Sequence, residues 1–360
     1  MMLNIRVRGW LAALAAAALC GAAWPPRAVP DDGKSLVFAP APVAPASPGE
    51  CDRECLYGFV DKYFDAMLSR YPSTIALAPD VKYTENEQIV KPGEGIWKTF
   101  SGRGTYRVYL ADPTTGEAGY YGDIREDGGL LVGMVALRIK VKEHRIAEIE
   151  LITVREEKRP RAGLGLSTAG IMTPRMMDEL DGSQFIRPNP ALVEPVQSPA
   201  NREHLVGATR GYFDAFQQSQ GSLAPIDSEC YRRENGVTTT NNPDGPVIDR
   251  AQPAFRLFSG SCAEEIDRRF FSALWKVRGL RPLVIDEKQG LVLNLAFFDN
   301  EGDAPSVAVP EVGSVAVPVE LRRPITFMTP QLFKIENGKI RAIEGISWPV
   351  PFGMHSAWGD

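Results

Sequence analysis

The chain of 360 residues holds only three histidines and five cysteines. None of the histidines lies at ligand spacing from the cysteines, so a structural zinc site is not expected. No Gly-x-Ser-x-Gly elbow, phosphate loop or zinc motif occurs. Gly163-Leu164-Gly165 lacks the further glycine that a dinucleotide fingerprint needs. Positive charge is not in excess: the net charge is −5 and no basic stripe stands out. Nucleic acid is therefore not expected as a partner. A long apolar run occurs only near the N-terminus, where Arg6 and Arg8 precede Trp10 to Leu19 and small residues Gly21, Ala22 and Ala23 follow. That is the layout of a secretory signal over residues 1–23, too short for a confident membrane span. The expectation is a periplasmic or secreted protein with no stable membrane insertion once the signal is removed.

Cysteine use agrees with export. Without Cys20, four remain: Cys51, Cys55, Cys230 and Cys262. An even count in an oxidising compartment suggests disulfides, with three possible connectivities. Pairing close in sequence, Cys51–Cys55 and Cys230–Cys262, is the simplest. Residues 24–50 are rich in proline and alanine and read as a tether.

What the chain does contain is an internal repeat. Tyr63-Phe64-Asp65-Ala66 returns as Tyr212-Phe213-Asp214-Ala215, and Glu85-Asn86 as Glu234-Asn235, at one spacing (63 to 212, 85 to 234). Such self-similarity indicates one fold used twice. Leu56, Phe59, Val60, Tyr63 and Met67 recur at helical spacing, which predicts an amphipathic helix over 53–70 with Tyr63 facing inward. A short second helix is expected from Pro72 to Ala78. Strand-like segments follow: 81–85, 105–111, 117–124, 130–141 and 145–155. Helices first and antiparallel strands after predict an α+β fold, with helices on one face of a curved sheet. The proline-containing stretch 156–200 reads as an interdomain segment between a first domain, 51–155, and a second, 201–360. In the second copy Leu205, Ala208, Tyr212, Phe213 and Phe216 form the helical stripe. Asp286 matches Asp112 at a strand-end turn, and turn formation accounts for both. By the last match the spacing has widened (150 to 344), so the second copy carries insertions, mainly in 236–270 and 301–325. These could cover a pocket mouth.

The words Tyr63-Phe64-Asp65-Ala66 and Leu77-Ala78-Pro79-Asp80-Val81-Lys82-Tyr83-Thr84-Glu85-Asn86 resemble the nuclear transport factor 2-like superfamily. This group of α+β cones includes ketosteroid isomerases, SnoaL-type polyketide cyclases and scytalone dehydratase. The Phe352-Gly353-Met354-His355-Ser356-Ala357-Trp358 tail resembles that of a group of double-domain secreted members. The resemblance implies two tandem cone domains and, since such domains commonly pair through their sheets, an internal pseudo-dimer. In the isomerases a helix tyrosine donates to the substrate oxyanion and a first-strand carboxylate is the base. Tyr63 and Glu85 match those places in order, and Tyr212 and Glu234 match them in the second copy. The chain has Glu where the isomerases have Asp.

A carboxylate buried in an apolar cone rises in pKa toward the range of a general base, and a neutral tyrosine opposite can stabilise an enolate. The expected catalytic residues are thus Glu85, Tyr63, Glu234 and Tyr212, with no metal or organic cofactor needed. Tyr83, Asn86, Trp97, Asp123, Asn235 and His355 are candidate substrate-binding residues: Trp97 for stacking, Asp123 as an added acid, His355 for its aromatic setting. The expected activity is that of a lyase or isomerase moving a proton beside a carbonyl. Dehydration of a hydroxylated keto-steroid or similar hydrophobic polycyclic ketone comes first, and double-bond isomerisation second. The rival reading is a binding protein for a hydrophobic ligand. A third is that one copy is active and the other structural.

Overall fold

A computed structural model describes residues 51–129, 131–155, 190–235, 237–241 and 257–359 of the chain. The expected signal, the proline-rich tether and most of the 156–200 segment lie outside the described residues.

Helix α1 (Arg53–Ser69) forms where the apolar stripe predicted it, and Leu56, Phe59, Val60, Tyr63, Phe64 and Met67 are all buried. Asp52 caps its start by accepting from the Cys55 amide, and Arg70 ends it in the left-handed conformation. Pro72–Thr74 makes a single 3-10 turn in place of the expected second helix, because strand β1 (Leu77–Glu85) begins four residues sooner than its β-branched residues suggest. The sheet is completed by β2 (Gln88–Ile89), β3 (Phe100–Asp112), β4 (Glu117–Glu126), β5 (Leu131–Lys142) and β6 (Arg145–Arg155), in the order β2-β1-β6-β5-β4-β3. The β1–β6 pair is parallel and the others antiparallel.

The second half repeats this plan. After a one-turn helix α2 (Pro190–Val193), helix α3 (Arg202–Gln218) is capped by Asn201 and closed by Ser219 in the left-handed conformation. Strands β7 (Ile226–Glu234), β8 (Val237–Thr238), β9 (Lys276–Asp286), β10 (Leu291–Asn300), β13 (Ile325–Glu336) and β14 (Lys339–Gly345) form a sheet in the order β8-β7-β14-β13-β10-β9. Here too the first long strand, β7, pairs with the last, β14, in parallel. The described insertions supply helices α4 (Cys262–Asp267) and α5 (Phe270–Leu274) and a hairpin of β11 (Ser306–Val309) and β12 (Gly313–Ala316). A short β15 (Trp348–Val350) adds to β13. The fold is mixed α/β with few helices and mainly antiparallel sheets. Both disulfides, Cys51–Cys55 and Cys230–Cys262, are formed. The first sits at the start of α1, with Cys51 ahead of the N-cap, so no helical turn is distorted. Among the described residues no helix is long and apolar enough to cross a membrane.

Side-chain alternation along the strands sorts the two faces of each sheet. One face of the first sheet packs on α1 around Tyr63, Phe64, Tyr83, Trp97 and Tyr120. The other meets the second sheet through Tyr106, Val108, Leu110, Met134 and Ile152 against Leu283, Leu293, Leu295, Phe297 and Met328. Charged residues are tied into this second layer. Glu150 accepts from Arg138 of its own sheet at 3.0 Å and from Arg281 of the other at 2.6 Å. Burial opposes its charge, but the two guanidiniums outweigh burial and hold its pKa below the ordinary carboxylate value. Its counterpart Glu344 accepts from Tyr231 at 3.0 Å and from Tyr106 of the first half.

Candidate functional site

The space between α1 and the first sheet is filled. Tyr63, Tyr83 and Trp97 are almost wholly buried, with the Trp97 ring edge-on to Tyr63 at 5.5 Å between centroids. Their polar tips interact with one another, yet none of the three is aligned as a good hydrogen bond. Burial pushes the Tyr63 phenol well above its ordinary pKa, with Tyr83 and Trp97 pulling it part of the way back. Trp97 is therefore part of the core. Glu85 does not bond the Tyr63 hydroxyl. One oxygen accepts from the Ile96 amide at 2.7 Å, and the other lies 3.1 Å from Arg155. A side chain at Gly95 would collide with that carboxylate: its Cβ would lie 2.1 Å from Oε2. Gly95, at φ +60°, thus leaves the space into which Glu85 folds.

Asn86 and Asn235 do matching structural work. Both adopt positive φ after the first long strand of their sheets. Asn86 exchanges amide bonds with the Thr153 backbone at 2.8 and 3.1 Å, and Asn235 with Ser347 at 2.9 and 3.3 Å. Both side-chain amides are thereby occupied by backbone. Asp123 lies on the face of β4 away from α1, accepting from the Tyr106 amide and from Arg125 at 2.7 Å. Burial raises its pKa. His355 is exposed in the C-terminal tail, which crosses to β1 of the first half. There the Trp358 indole donates to Thr84 at 2.9 Å, and Glu87 accepts from the Ala357 amide at 2.6 Å.

The space between α3 and the second sheet differs. Tyr212 is buried at the matching helix position and packs edge-on to Phe333 of β13. Beside it Arg232 bridges two carboxylates. It donates to Glu265 of α4 at 2.6 Å and, through its other terminal nitrogen, to Glu234. Tyr212, Arg232 and Glu265 line one small cavity with Phe216, Ile266, Phe271 and Ser272; its volume of about 10 Å³ suits a single water. Burial pushes the Glu265 carboxyl up to about 7 against the pull of Arg232, and the Glu234 charge adds to the rise. Burial also raises the Tyr212 phenol, which stays a neutral donor. Burial opposes the Arg232 charge, but Glu234 and Glu265 outweigh it.

Sequence reasoning brought Tyr212 and Glu234 to this place and missed Arg232 and Glu265. Arg232 was legible in principle, since it lies two residues from Glu234 on the same face of β7. Glu265 lies in an insertion with no counterpart in the first copy. Its one signal was Cys262, three residues earlier, whose bond to Cys230 pins α4 to β7. A groove of about 550 Å³ runs over the outside of α1 along Phe59, Lys62, Ile75 and His144 and includes neither Tyr63 nor Glu85. Among the described residues no cluster of His, Cys, Asp or Glu could hold a metal ion.

Residues 198–347 match a family described as a domain of unknown function (DUF8021). Among solved structures the chain is similar to AusH from Aspergillus nidulans, at 14% identity and TM-score 0.25, over 45% of this chain and 93% of that one. It is similar to a candidate ketosteroid isomerase from Kribbella flavida, at 17% identity and TM-score 0.25, over 31% of this chain and 85% of that one. It is also similar to BvnE pinacolase from Penicillium brevicompactum, at 12% identity and TM-score 0.23, over 42% of this chain and 88% of that one. No curated protein sequence matches the chain.

Proposed function

We propose that the protein is a lyase or isomerase of the nuclear transport factor 2-like kind. In this reading it is built as two tandem cones paired through their sheets, and its active site lies in the second cone. The observation that carries the reading is Glu265. A buried carboxyl titrating near neutrality, on the wall it shares with Tyr212, has the pKa a general base needs. The first cone, filled by Tyr63, Tyr83 and Trp97, acts as its structural partner.

In the proposed reaction Glu265 removes the proton beside the carbonyl of a β-hydroxy ketone. The C–H electron pair moves into a carbon–carbon double bond, and the carbonyl becomes an enolate. The neutral Tyr212 hydroxyl donates to that oxygen as charge develops. The enolate then re-forms the carbonyl and expels the β-hydroxyl, which takes the proton from Glu265 and leaves as water. The products are a conjugated enone and water, and the carboxylate is restored. Arg232 holds Glu265 in place and, with Glu234, sets its proton affinity. Entry of a substrate requires Phe271 and Ser272, on the wall supplied by α5, to move outward.

The test is the ultraviolet absorbance of a new conjugated enone when purified protein meets hydroxylated keto-steroids and small β-hydroxy ketones. Glu265→Gln is expected to lower turnover by about 10²-fold or more. Loss in Glu85→Gln with full activity in Glu265→Gln would move the site to the first cone. Binding without turnover in the parent protein would make it a ligand carrier.

A further inference from the structure

The strand registers of the two sheets place the same positions side by side. In the first sheet Glu85 stands opposite Leu151, Leu151 opposite Leu137, and Leu137 opposite Tyr120. In the second, Glu234 stands opposite Gly345, Gly345 opposite Gln331, and Gln331 opposite Asn294. Both rows cross the helix-facing side of their sheet. Gln331 shares its face with Phe333, which touches Tyr212, and Asn294 shares its face with Phe298, which touches Phe213 and Phe216 of α3. Two leucines and a tyrosine fill the row in the first cone. The second has a glycine and two carboxamides in their places.

Those carboxamides are buried, with Asn294 and Gln331 each 1% exposed. Neither the oxygen nor the nitrogen of the Asn294 amide has a hydrogen-bond partner, nor has Gln331 Oε1, nor Arg232 Nε one row away. Buried polar groups in folded proteins are almost always satisfied, and groups that are not call for a specific explanation. Here two unpaired donors and two unpaired acceptors lie on the helix-facing side of the second sheet, the side on which Phe333 touches Tyr212. A hydrocarbon skeleton cannot satisfy them.

We infer that the second cone binds a compact, multiply oxygenated carbonyl compound, whose carbonyl and hydroxyl oxygens pair with the Asn294–Gln331 row and Arg232. The inference rests on the proton-transfer reading for its location and names the substrate class of that site. It replaces the polycyclic ketone suggested by the sequence with a smaller, more polar molecule. Gly345 contributes by leaving room: a Cβ there would lie 3.3 Å from Gln331 Cγ, so a larger residue would press the carboxamide off the row.

Ligand-detected magnetic resonance with D-erythrulose and D-galactonolactone, against androstenedione as the apolar probe, tests the assignment. Both oxygenated probes are expected to bind, and androstenedione to bind more weakly than either. Gln331→Leu and Asn294→Leu, which bring in apolar residues as in the first cone, are each expected to weaken binding about tenfold. Without ligand, Gln331→Leu should raise the melting temperature by about 2–4 °C, since it removes an unpaired buried acceptor. The inference is overturned if neither oxygenated probe binds, if androstenedione binds more tightly, or if binding is unchanged in Gln331→Leu. Measuring the same binding in Glu265→Gln separates the two readings. Binding kept there, with no turnover even in the parent, would sink the catalytic reading and leave this one standing.

Discussion

Arg53, at the start of the first helix, closes on Asp286 in the second half through two bonds of 2.6 Å. The arrangement returns with the halves exchanged: Arg202, at the start of α3, lies 2.7 Å from Asp112 at the end of β3. Each helix is thus tied to the far sheet by the same pair of residue types. Asp286 is fully buried and also accepts from the Ala111 and Gln289 amides at 2.9 and 3.0 Å. The two aspartates therefore do more than shape a turn.

Breaking the first pair should be costly, because it strands a buried carboxylate. Arg53→Ala is expected to lower the unfolding free energy by about 3 kcal/mol. Asp112→Asn should cost only about 1–2 kcal/mol, because its contact with Arg202 is close but poorly aligned. Urea unfolding of the two variants side by side tests the order, and an equal loss would contradict the difference in geometry.

Stability should fall as pH rises through neutrality. Glu265 binds its proton more tightly in the folded chain, at about 7, than in the unfolded chain, at an ordinary carboxylate value of 4.5. Between those values the folded state holds the extra proton, so its contribution is fully present below about pH 4.5 and is lost as pH climbs past 7. The loss attached to this group is on the order of 3 kcal/mol. Unfolding measured at pH 5 and pH 8 should show the drop, and Glu265→Gln should remove most of it. A variant with the parent's slope would place the titration elsewhere.

The two disulfides should differ in worth. Cys230–Cys262 closes a loop with a sequence separation of 32, and Cys51–Cys55 one of 4. Chain entropy alone gives about 4 kcal/mol for the first and about 2 kcal/mol for the second. Cys262→Ser also frees α4, so the Glu265 titration should move with it. Carboxyl carbon resonances in the parent and the variant report that shift directly.

The C-terminal clasp is the fourth test. Lys82 lies 3.9 Å from the Trp358 ring centroid and Arg138 at 4.7 Å, on top of the indole bond to Thr84. Trp358→Ala is expected to cost about 2–3 kcal/mol, read from urea midpoints. Trp358→Phe, which keeps the ring and loses the donor, should recover roughly half of it.

Much of this was legible in the sequence, for physical reasons. The helices announced themselves because Tyr63 and Tyr212 sit on apolar stripes of period 3.6. The disulfides followed from an even count of cysteines close in sequence. The exchange of Arg53 and Arg202 between halves was hidden, since each aspartate satisfies a local turn rule that masks its distant partner. The row of Glu234, Gly345, Gln331 and Asn294 was hidden more deeply. Its members come from four strands, and only the strand registers show that they share a line. Glu265 escaped because the repeat guided attention to matched positions, and it has none.

The replacement of Leu137 by Gln331, and of Leu151 by Gly345, has a consequence that depends on covalent linkage. In a two-fold dimer of identical chains every substitution appears twice. A change that puts carboxamides into one interior would put them into both interiors of such an assembly at once. Two halves within one polypeptide are free of that constraint. One interior can stay apolar while the other takes in buried polar side chains such as Asn294 and Gln331.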